Sequence, residues 1–164
     1  MNSDNVEIER KFLVANDDWR PDASSTRLRQ GYLCVGEVAT VRVRIGGGEA
    51  WLTIKGPTRG LSRTEAEYAI TVTEAEAMLE YAAASSIIDK TRHVIRHGDH
   101  LWEIDEFHGD NEGLIVAEVE LTREDEQPQL PDWVGTEVSH DPRYRNASLA
   151  TNPYRDWDAP ATAD

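Results

Sequence analysis

Charged side chains recur at every second position in several short segments of the 164-residue chain. Residues two apart lie on the same face of a β-strand, so each segment places charged side chains side by side. Such a face usually points to solvent, but a scattered solvent face rarely sorts acids and bases into pairs strand by strand. We therefore expect these faces to point inward. The segments are Glu7/Glu9/Lys11, Arg42/Arg44, Glu65/Glu67, Lys90/Arg92, Glu103/Asp105 and Glu118/Glu120, with Lys55 at the end of a further strand.

This mixture of inward-facing acids and bases indicates the chemistry of a ligand. Buried charges are costly unless each has a partner, and acid–base pairing offsets only part of that cost. Arginine and lysine side chains suit phosphate oxygens, whereas carboxylates suit hard divalent cations such as Mg²⁺ or Mn²⁺. A phosphate chain with a bound divalent metal ion satisfies both sets. The residues expected to bind the anion are Lys11, Arg42, Arg44, Lys55, Lys90 and Arg92.

Eight short strands are predicted to position these side chains, at the spacing of an antiparallel meander. A sheet of this kind must protect its edges, and closure into a barrel does so. We expect an α+β fold: an eight-stranded antiparallel β-barrel, or tunnel, with a few flanking helices and a lumen that holds side chains or one small ligand. The predicted strands are residues 6–14, 28–34, 40–45, 50–55, 65–72, 90–96, 101–107 and 114–121.

Helices are predicted at few places. Thr73 and Glu76 have the spacing of a capping box, and the apolar stripe that follows predicts a helix to about Ser85. A short helical patch is expected at residues 123–127, and a final helix from Asp141-Pro142. We expect the outward faces of the strands to pack under helices, with the apolar residues Ile8, Phe12, Val41, Val43, Leu52, Ile54, Val119 and Leu121.

Composition limits the domain organisation and the partners. The length fits one domain, predicted over residues 1–151, and the polar residues 152–164 are predicted to form a loose tail. The net charge of −14 argues against nucleic acid or an anionic membrane as a partner. Cys34 is the single cysteine, and the N-terminus lacks the features of a signal peptide. We therefore expect a cytoplasmic protein.

The motifs as a set resemble the CYTH, or triphosphate tunnel metalloenzyme, superfamily. Glu7-Ile8-Glu9-Arg10-Lys11 matches its ExExK signature, and the resemblance, from about residue 5 to residue 150, is to small bacterial stand-alone members. It implies an eight-stranded tunnel that binds a triphosphate-containing small molecule with Mg²⁺ or Mn²⁺, and it makes a homodimer plausible. The other matching segments, in the same order, are residues 29–33, 41–44, 52–56, 62–68, 89–92, 102–107, 117–121, 137–138 and 143–146.

The resemblance also implies a role for each matching residue. Glu9 and Lys11 are the predicted catalytic residues, although Lys11 can act as a base only if neighbouring cations lower its pKa. Tyr32 is expected to line the tunnel beside the substrate. The predicted phosphate ligands are Lys11, Arg42, Arg44, Lys55, Lys90 and Arg92, and the predicted metal ligands are Glu7, Glu9, Glu118 and Glu120.

Three functions are compatible with these residues. The first is a metal-dependent hydrolase of inorganic triphosphate or of a triphosphate ester. The second is a class IV-type adenylate cyclase that makes cyclic AMP from ATP, which would need a recess for the base. The third is a non-catalytic module that binds nucleotides or polyphosphate, which would have no need for the metal-binding carboxylates. The full set of carboxylates favours an enzyme, and the expected reaction is hydrolysis of a phosphoanhydride.

Overall fold

Nine strands and two α-helices form the protein in a computed structural model that describes residues 5–82 and 87–157. The strands follow one another with short connections, as the alternating sequence pattern predicts. The elements are β1 (Val6–Val14), β2 (Ser24–Val35), β3 (Thr40–Gly46), β4 (Glu49–Lys55), β5 (Ser62–Ile70), α1 (Val72–Ala82), β6 (Ile88–His97), β7 (His100–Phe107), β8 (Ile115–Glu120), β9 (Val134–Glu137) and α2 (Asn146–Leu149).

Eight of the strands close into an antiparallel barrel, which confirms the predicted fold. The order around the barrel is β5-β4-β3-β2-β6-β7-β8-β1, and β1 returns to β5. The closing seam consists of three residue pairs, from Val6 opposite Thr64 to Ile8 opposite Ser62. Beyond that seam the same edge of β1 pairs with β9, a ninth strand that the sequence did not predict.

Two apolar layers cover the outside of the barrel. The first lies under α1, where Leu79 packs with Val43 and Ala50. Gly31 permits this approach, because a Cβ atom there would lie 2.8 Å from the Cβ atom of Ala82. The prediction that helices cover the outward faces is correct here.

The second layer, over β1, β7 and β8, contradicts that prediction. Loops cover it instead, and they contribute Trp19 and Trp133, which pack against Phe12 and Trp102. Trp102 and Trp133 meet edge to face with their ring centroids 5.5 Å apart. A large indole ring buries enough apolar surface for a loop residue to replace a helix here.

The capping box of α1 lies two residues before the predicted one. Thr71 Oγ1 accepts a hydrogen bond from Glu74 N at 3.1 Å, and Glu74 Oε2 accepts one from Thr71 N at 2.8 Å. Because β5 ends at Ile70, the helix begins at the earlier of two overlapping Thr-x-x-Glu spacings. The predicted end of this helix near Ser85 lies outside the described residues.

The chain beyond β8 also differs from prediction. Residues 123–127 form no helix, because Glu126 instead accepts hydrogen bonds from Thr122 and stabilises a turn. The predicted final helix is divided into a 3-10 turn, Pro142–Tyr144, and the short α2.

Residues 152–157 are not loose, although they fall within the predicted tail. Pro153 is buried, and Tyr154 N donates a hydrogen bond to Asn111 Oδ1 at 2.8 Å. Trp157 packs edge to face against Tyr144 and Tyr154. These aromatic contacts hold the segment on the barrel, and residues 158–164 of the predicted tail lie outside the described part of the chain.

Candidate active site

A cavity of about 630 Å³ lies in the lumen of the barrel. Its wall carries seven of the 17 basic residues of a chain that has 31 acidic ones. The basic residues on the wall are Lys11, Arg42, Arg44, Lys55, Arg63, Arg92 and Arg145, and the acidic ones are Glu7, Glu9, Glu37, Glu65, Glu67, Glu103, Glu118 and Glu120.

The register of the strands brings these side chains together. Directly opposed residues in an antiparallel sheet point to the same face. Pairing of β1 with β8 places Lys11 opposite Glu118, and pairing of β1 with β5 places Glu7 opposite Arg63. The charged faces with period two are therefore the inward faces, as the sequence indicates.

Lys11 lies between two carboxylates of the predicted metal site. Its Nζ atom is 2.5 Å from Glu118 Oε1 and 3.0 Å from Glu9 Oε1. Burial alone would lower the pKa of Lys11, but Glu118 and Glu9 outweigh burial and raise that pKa above its ordinary value. The condition for Lys11 to act as a base is not met in this arrangement, and its ammonium group acts as a fixed positive charge.

A second cluster surrounds Glu7. Lys55 Nζ lies 3.0 Å from Glu7 Oε2 and 2.8 Å from Glu65 Oε2, and Arg63 Nε donates to Glu7 Oε2 at 3.0 Å. The sequence did not single out Arg63 as a site residue. The signal was present, because Arg63 continues the inward face of Glu65 and Glu67 along β5.

Arg42 and Arg44 on β3 have weak compensation for their charge. Both guanidinium groups approach one carboxylate oxygen, Glu67 Oε2, and each lies 3.4 Å from it. Glu67 Oε2 also accepts a hydrogen bond from Thr53 Oγ1, at 2.8 Å. The Nε atoms of both arginines are buried without a hydrogen-bond partner among residues 5–82 and 87–157. Burial, with Arg42 and Arg92 nearby, lowers the pKa of Arg44. This side of the lumen suits an anion.

The opposite side of the lumen has an excess of carboxylates. Burial raises the pKa of Glu103, and the neighbouring Glu118 and Asp105 raise it further, against the opposing effect of Arg92. The pKa of Glu120 is raised as well, by burial and by other glutamates. Within the described residues Glu120 has no ion pair. This side suits a cation.

The structure does not bring Lys90 into the cavity wall. Its side chain is 1% exposed, and its ammonium group donates to Asp105 Oδ2 at 2.6 Å and to Asn146 Oδ1 at 3.2 Å. Burial lowers the pKa of Lys90 to about 8. Arg92, the other predicted phosphate ligand of β6, does line the cavity.

Tyr32 lines the cavity beside Arg42, which lies opposite it in the sheet. The phenol oxygen accepts a hydrogen bond from Gln30 Nε2 at 3.1 Å. Burial raises the pKa of Tyr32, so its hydroxyl group stays neutral and is available as a donor.

The donor atoms on the wall fit a hard divalent cation by their chemistry, although their present spacing does not form a coordination site. All four predicted metal ligands, Glu7, Glu9, Glu118 and Glu120, line the same cavity and offer oxygen atoms. Across residues 5–82 and 87–157, no three His, Cys, Asp or Glu side chains are grouped closely enough to hold a metal ion as they stand. Lysine and arginine side chains occupy three of the four carboxylates.

The described part of the chain contains no helix that is long and apolar enough to cross a membrane.

A sequence profile described as the CYTH domain matches residues 5–154. An inorganic triphosphatase of Acetivibrio thermocellus is 44% identical over 151 residues, which covers 92% of this chain and 97% of that protein. One from Nitrosomonas europaea is 41% identical, over 88% of this chain and 97% of that protein.

A solved structure shares the fold. It is the crystal structure of an inorganic triphosphatase that is 36% identical, with a TM-score of 0.65, over 88% of this chain and 97% of that one. The alignment therefore covers most of this chain and nearly all of that one.

Proposed function

The chain belongs to the CYTH domain family, and on that premise we propose that it hydrolyses inorganic triphosphate with a divalent metal ion in the charged lumen. The observation that carries the proposal is the division of one cavity into a side with poorly compensated arginines and a side with an excess of carboxylates. A triphosphate with a bound metal ion carries the complementary charges. Both named relatives above 40% identity are inorganic triphosphatases, which favours this substrate over a triphosphate ester or cyclisation of ATP.

The phosphate chain is proposed to bind along β3 and the neighbouring strands. Arg42 and Arg44 offer unpaired N–H groups there, and Arg92 reaches the lumen from the other side of β2. Lys11 and Lys55 are the predicted ligands nearest the carboxylates. Charge-assisted hydrogen bonds from several such groups stabilise the charge that develops on the phosphoryl oxygens during transfer.

Glu7, Glu9, Glu118 and Glu120 would hold the metal ion, which is proposed to be Mg²⁺ or Mn²⁺ because all of these donors are hard oxygen atoms. Once bound, the metal ion would neutralise charge on the phosphate oxygens and help to orient the attacking water. In the present structure, lysine side chains pair with three of these carboxylates. Phosphate oxygens would replace the carboxylates as partners of the lysines and arginines, and the carboxylates would then hold the metal ion, so neither set would be left unpaired.

Glu9 and Lys11 are proposed as catalytic residues with separate tasks. Lys11 keeps its proton and contributes positive charge where the carboxylates meet the phosphate chain. Glu9 holds Lys11 in place and contributes an oxygen ligand to the metal site. Tyr32 offers a hydroxyl donor on the cavity wall.

The expectations about partners follow from the same charges. The ligand is a small molecule, and the net charge of −14 opposes binding to nucleic acid or to an anionic membrane. A homodimer and a cytoplasmic location remain predictions, and light scattering of the purified protein tests the first.

Phosphate release tests the proposed function. The purified protein is given inorganic triphosphate, thiamine triphosphate or ATP, each with Mg²⁺, Mn²⁺ or a chelator, and cyclic AMP is measured in the ATP samples. We expect metal-dependent release of phosphate, fastest from inorganic triphosphate. Formation of cyclic AMP without phosphate release would favour the cyclase, and tight binding without turnover would favour the non-catalytic module; either result would overturn the proposal.

A further inference from the structure

Asp105 is a buried carboxylate of the barrel interior that has no task in the proposed reaction. It lies on β7 and is 0% exposed, and it does not reach the wall of the cavity. Two basic residues of β6, Lys90 and Arg92, converge on it. Of these three residues, only Arg92 lines the cavity.

The contacts fix one edge of the Arg92 guanidinium group. Arg92 Nε donates to Asp105 Oδ1 and Arg92 Nη2 donates to Asp105 Oδ2, both at 2.8 Å. Two parallel hydrogen bonds set the plane of a guanidinium group as well as its position. The remaining nitrogen, Nη1, points to the cavity wall, where it lies 2.6 Å from Glu103 Oε2. The cavity therefore meets Arg92 in a single orientation.

Asp105 balances only part of the charge of this cluster. It provides one negative charge for two positive ones, those of Lys90 and Arg92. Lys90 is enclosed by Asp105, Asn146 and the ring of Phe107. Arg92 also meets two carboxylates of the cavity wall, Glu103 at 2.6 Å and Glu118 at 3.7 Å, so its remaining partners are groups of the lumen.

We propose that Asp105 is a positioning residue that holds Arg92 toward the triphosphate, and that Lys90 balances the charge behind it instead of contacting the substrate. This inference rests on the proposed function. A free arginine loses much conformational freedom when it binds a ligand, and an arginine that Asp105 already holds loses less. Asn146, which accepts a hydrogen bond from Lys90, ties the cluster to α2.

Steady-state kinetics of Asp105→Asn, Arg92→Met and the double variant test the coupling. We expect each single variant to raise the KM for inorganic triphosphate by about tenfold or more, with a smaller change in kcat. On the Arg92→Met background, Asp105→Asn should change KM by less than about twofold, because its effect passes through Arg92. An equal increase on both backgrounds would mean that Asp105 acts independently and would overturn the inference.

Asp89→Asn is the matched control. Asp89 lies on β6 and, like Asp105, accepts two hydrogen bonds from an arginine, here Arg27, but this pair is exposed on the outside of the barrel. Its KM should stay within about twofold of the wild-type value. A comparable increase would show that any loss of an arginine–aspartate pair disturbs the barrel, and would overturn a specific role for Asp105.

Nuclear magnetic resonance of the wild-type protein provides a test that does not require Asp105→Asn to fold. Arginine Nε–Hε signals are recorded during titration with inorganic triphosphate and Mg²⁺. We expect the Arg92 Nε–Hε signal to keep its position, since Asp105 still accepts that proton, while the Arg42 and Arg44 signals shift. If the Arg92 signal shifts as they do, Arg92 leaves Asp105 and the inference fails. If wild-type protein neither binds nor hydrolyses triphosphate, the proposed function itself fails, which is seen before any variant is made.

Discussion

The two sides of the lumen differ in the sign of the charges that lack a close partner. Along β3, the guanidinium groups of Arg42 and Arg44 share a single oxygen of Glu67 at 3.4 Å and leave nitrogen atoms unpaired. Along β8, on the far side of the barrel, Glu118 Oε1 lies 2.5 Å from Lys11 Nζ, while Glu120 lies near other carboxylates and has no ion pair within the described part of the chain.

The difference shows that the cavity is polarised rather than simply charged. A barrel whose lumen only balanced its own charges would pair every group at contact distance, as Asp105 is paired. The unpaired groups instead collect by sign on opposite walls. An unpaired buried charge is costly, so each wall favours binding of a ligand that carries the opposite charge.

The largest expected effect comes from the carboxylate side. Glu9→Gln should lower kcat for inorganic triphosphate by at least about 100-fold, because it removes a proposed metal ligand worth several kcal/mol in the transition state. The unfolding temperature should stay within roughly 4 °C of the wild-type value. Phosphate release and calorimetry measure the two quantities. Glu80→Gln, at an exposed position of α1, is the matched control, and equal rates for the two variants would contradict the metal role.

The arginine side should respond in KM instead. Arg44→Met is expected to raise the KM for inorganic triphosphate by about tenfold or more, since a charge-assisted hydrogen bond to phosphate is worth about 1.5–3 kcal/mol. Stability should change little, because burial and neighbouring cations already disfavour the charge of Arg44.

The control for this variant is Arg29→Met, which removes an ion pair with Glu76 outside the barrel. Steady-state kinetics with saturating Mg²⁺ should give it a KM close to that of the wild type. An unchanged KM in Arg44→Met would remove the distinction between the two walls.

A smaller effect, on stability, is expected from the carboxylate side in the absence of ligand. The pKa of Glu120 is raised, so its ionised form is disfavoured in the folded state. The protonated carboxyl group stabilises the fold at low pH, and this contribution to stability is lost as the pH rises through the raised pKa. Glu120→Gln should therefore raise the unfolding temperature at pH 7 by roughly 1–2 °C in chelator, and it should reduce the further rise caused by Mg²⁺. Differential scanning fluorimetry measures both, and a lower unfolding temperature in chelator would contradict the excess of negative charge on this wall.

The smallest effect concerns an ion pair outside the lumen. Hydrogen bonds from Arg10 lower the pKa of Glu137 to about 2. A lowered pKa stabilises the fold above about pH 4.5, and this contribution is lost as the pH falls from there toward 2. Glu137→Gln should cost at most about 1 kcal/mol at pH 7, because the carboxylate is partly exposed, and should flatten the acid dependence of urea unfolding. Triphosphate turnover should not change. A loss of turnover would show that the outer wall and the lumen are coupled.

Alternation along the strands was enough to identify the face of each charged residue, but not its depth in the barrel. Face depends on whether a position is odd or even, which the sequence displays. Depth depends on register with strands far along the chain, which it does not. Lys90 and Arg92 share a face, yet register places Lys90 opposite Phe107, at the apolar end of the lumen, and Arg92 opposite Asp105. Lys90 is therefore enclosed, whereas Arg92 reaches the cavity.

The elements that the sequence predicted least well are those without a periodic pattern. The loop residues Trp19 and Trp133 cover one side of the barrel, and β9 has four residues, too few for alternation to be recognised. The site residue Arg63 was missed for a different reason. It precedes Thr64, so the charged alternation was counted from Glu65 onward although the strand begins at Ser62.

The position of β1 has a consequence for the newly made protein. This strand, which carries Glu7, Glu9 and Lys11, pairs with β5, β8 and β9. It is made before its barrel partner β8, which ends at Glu120, and on the order of ten seconds of translation separate the two strands. Until β8 is complete, β1 has β5 as a partner on one edge and lacks the strand of its other edge. The lumen can therefore close only after β8 has been made, when β1 has partners on both edges.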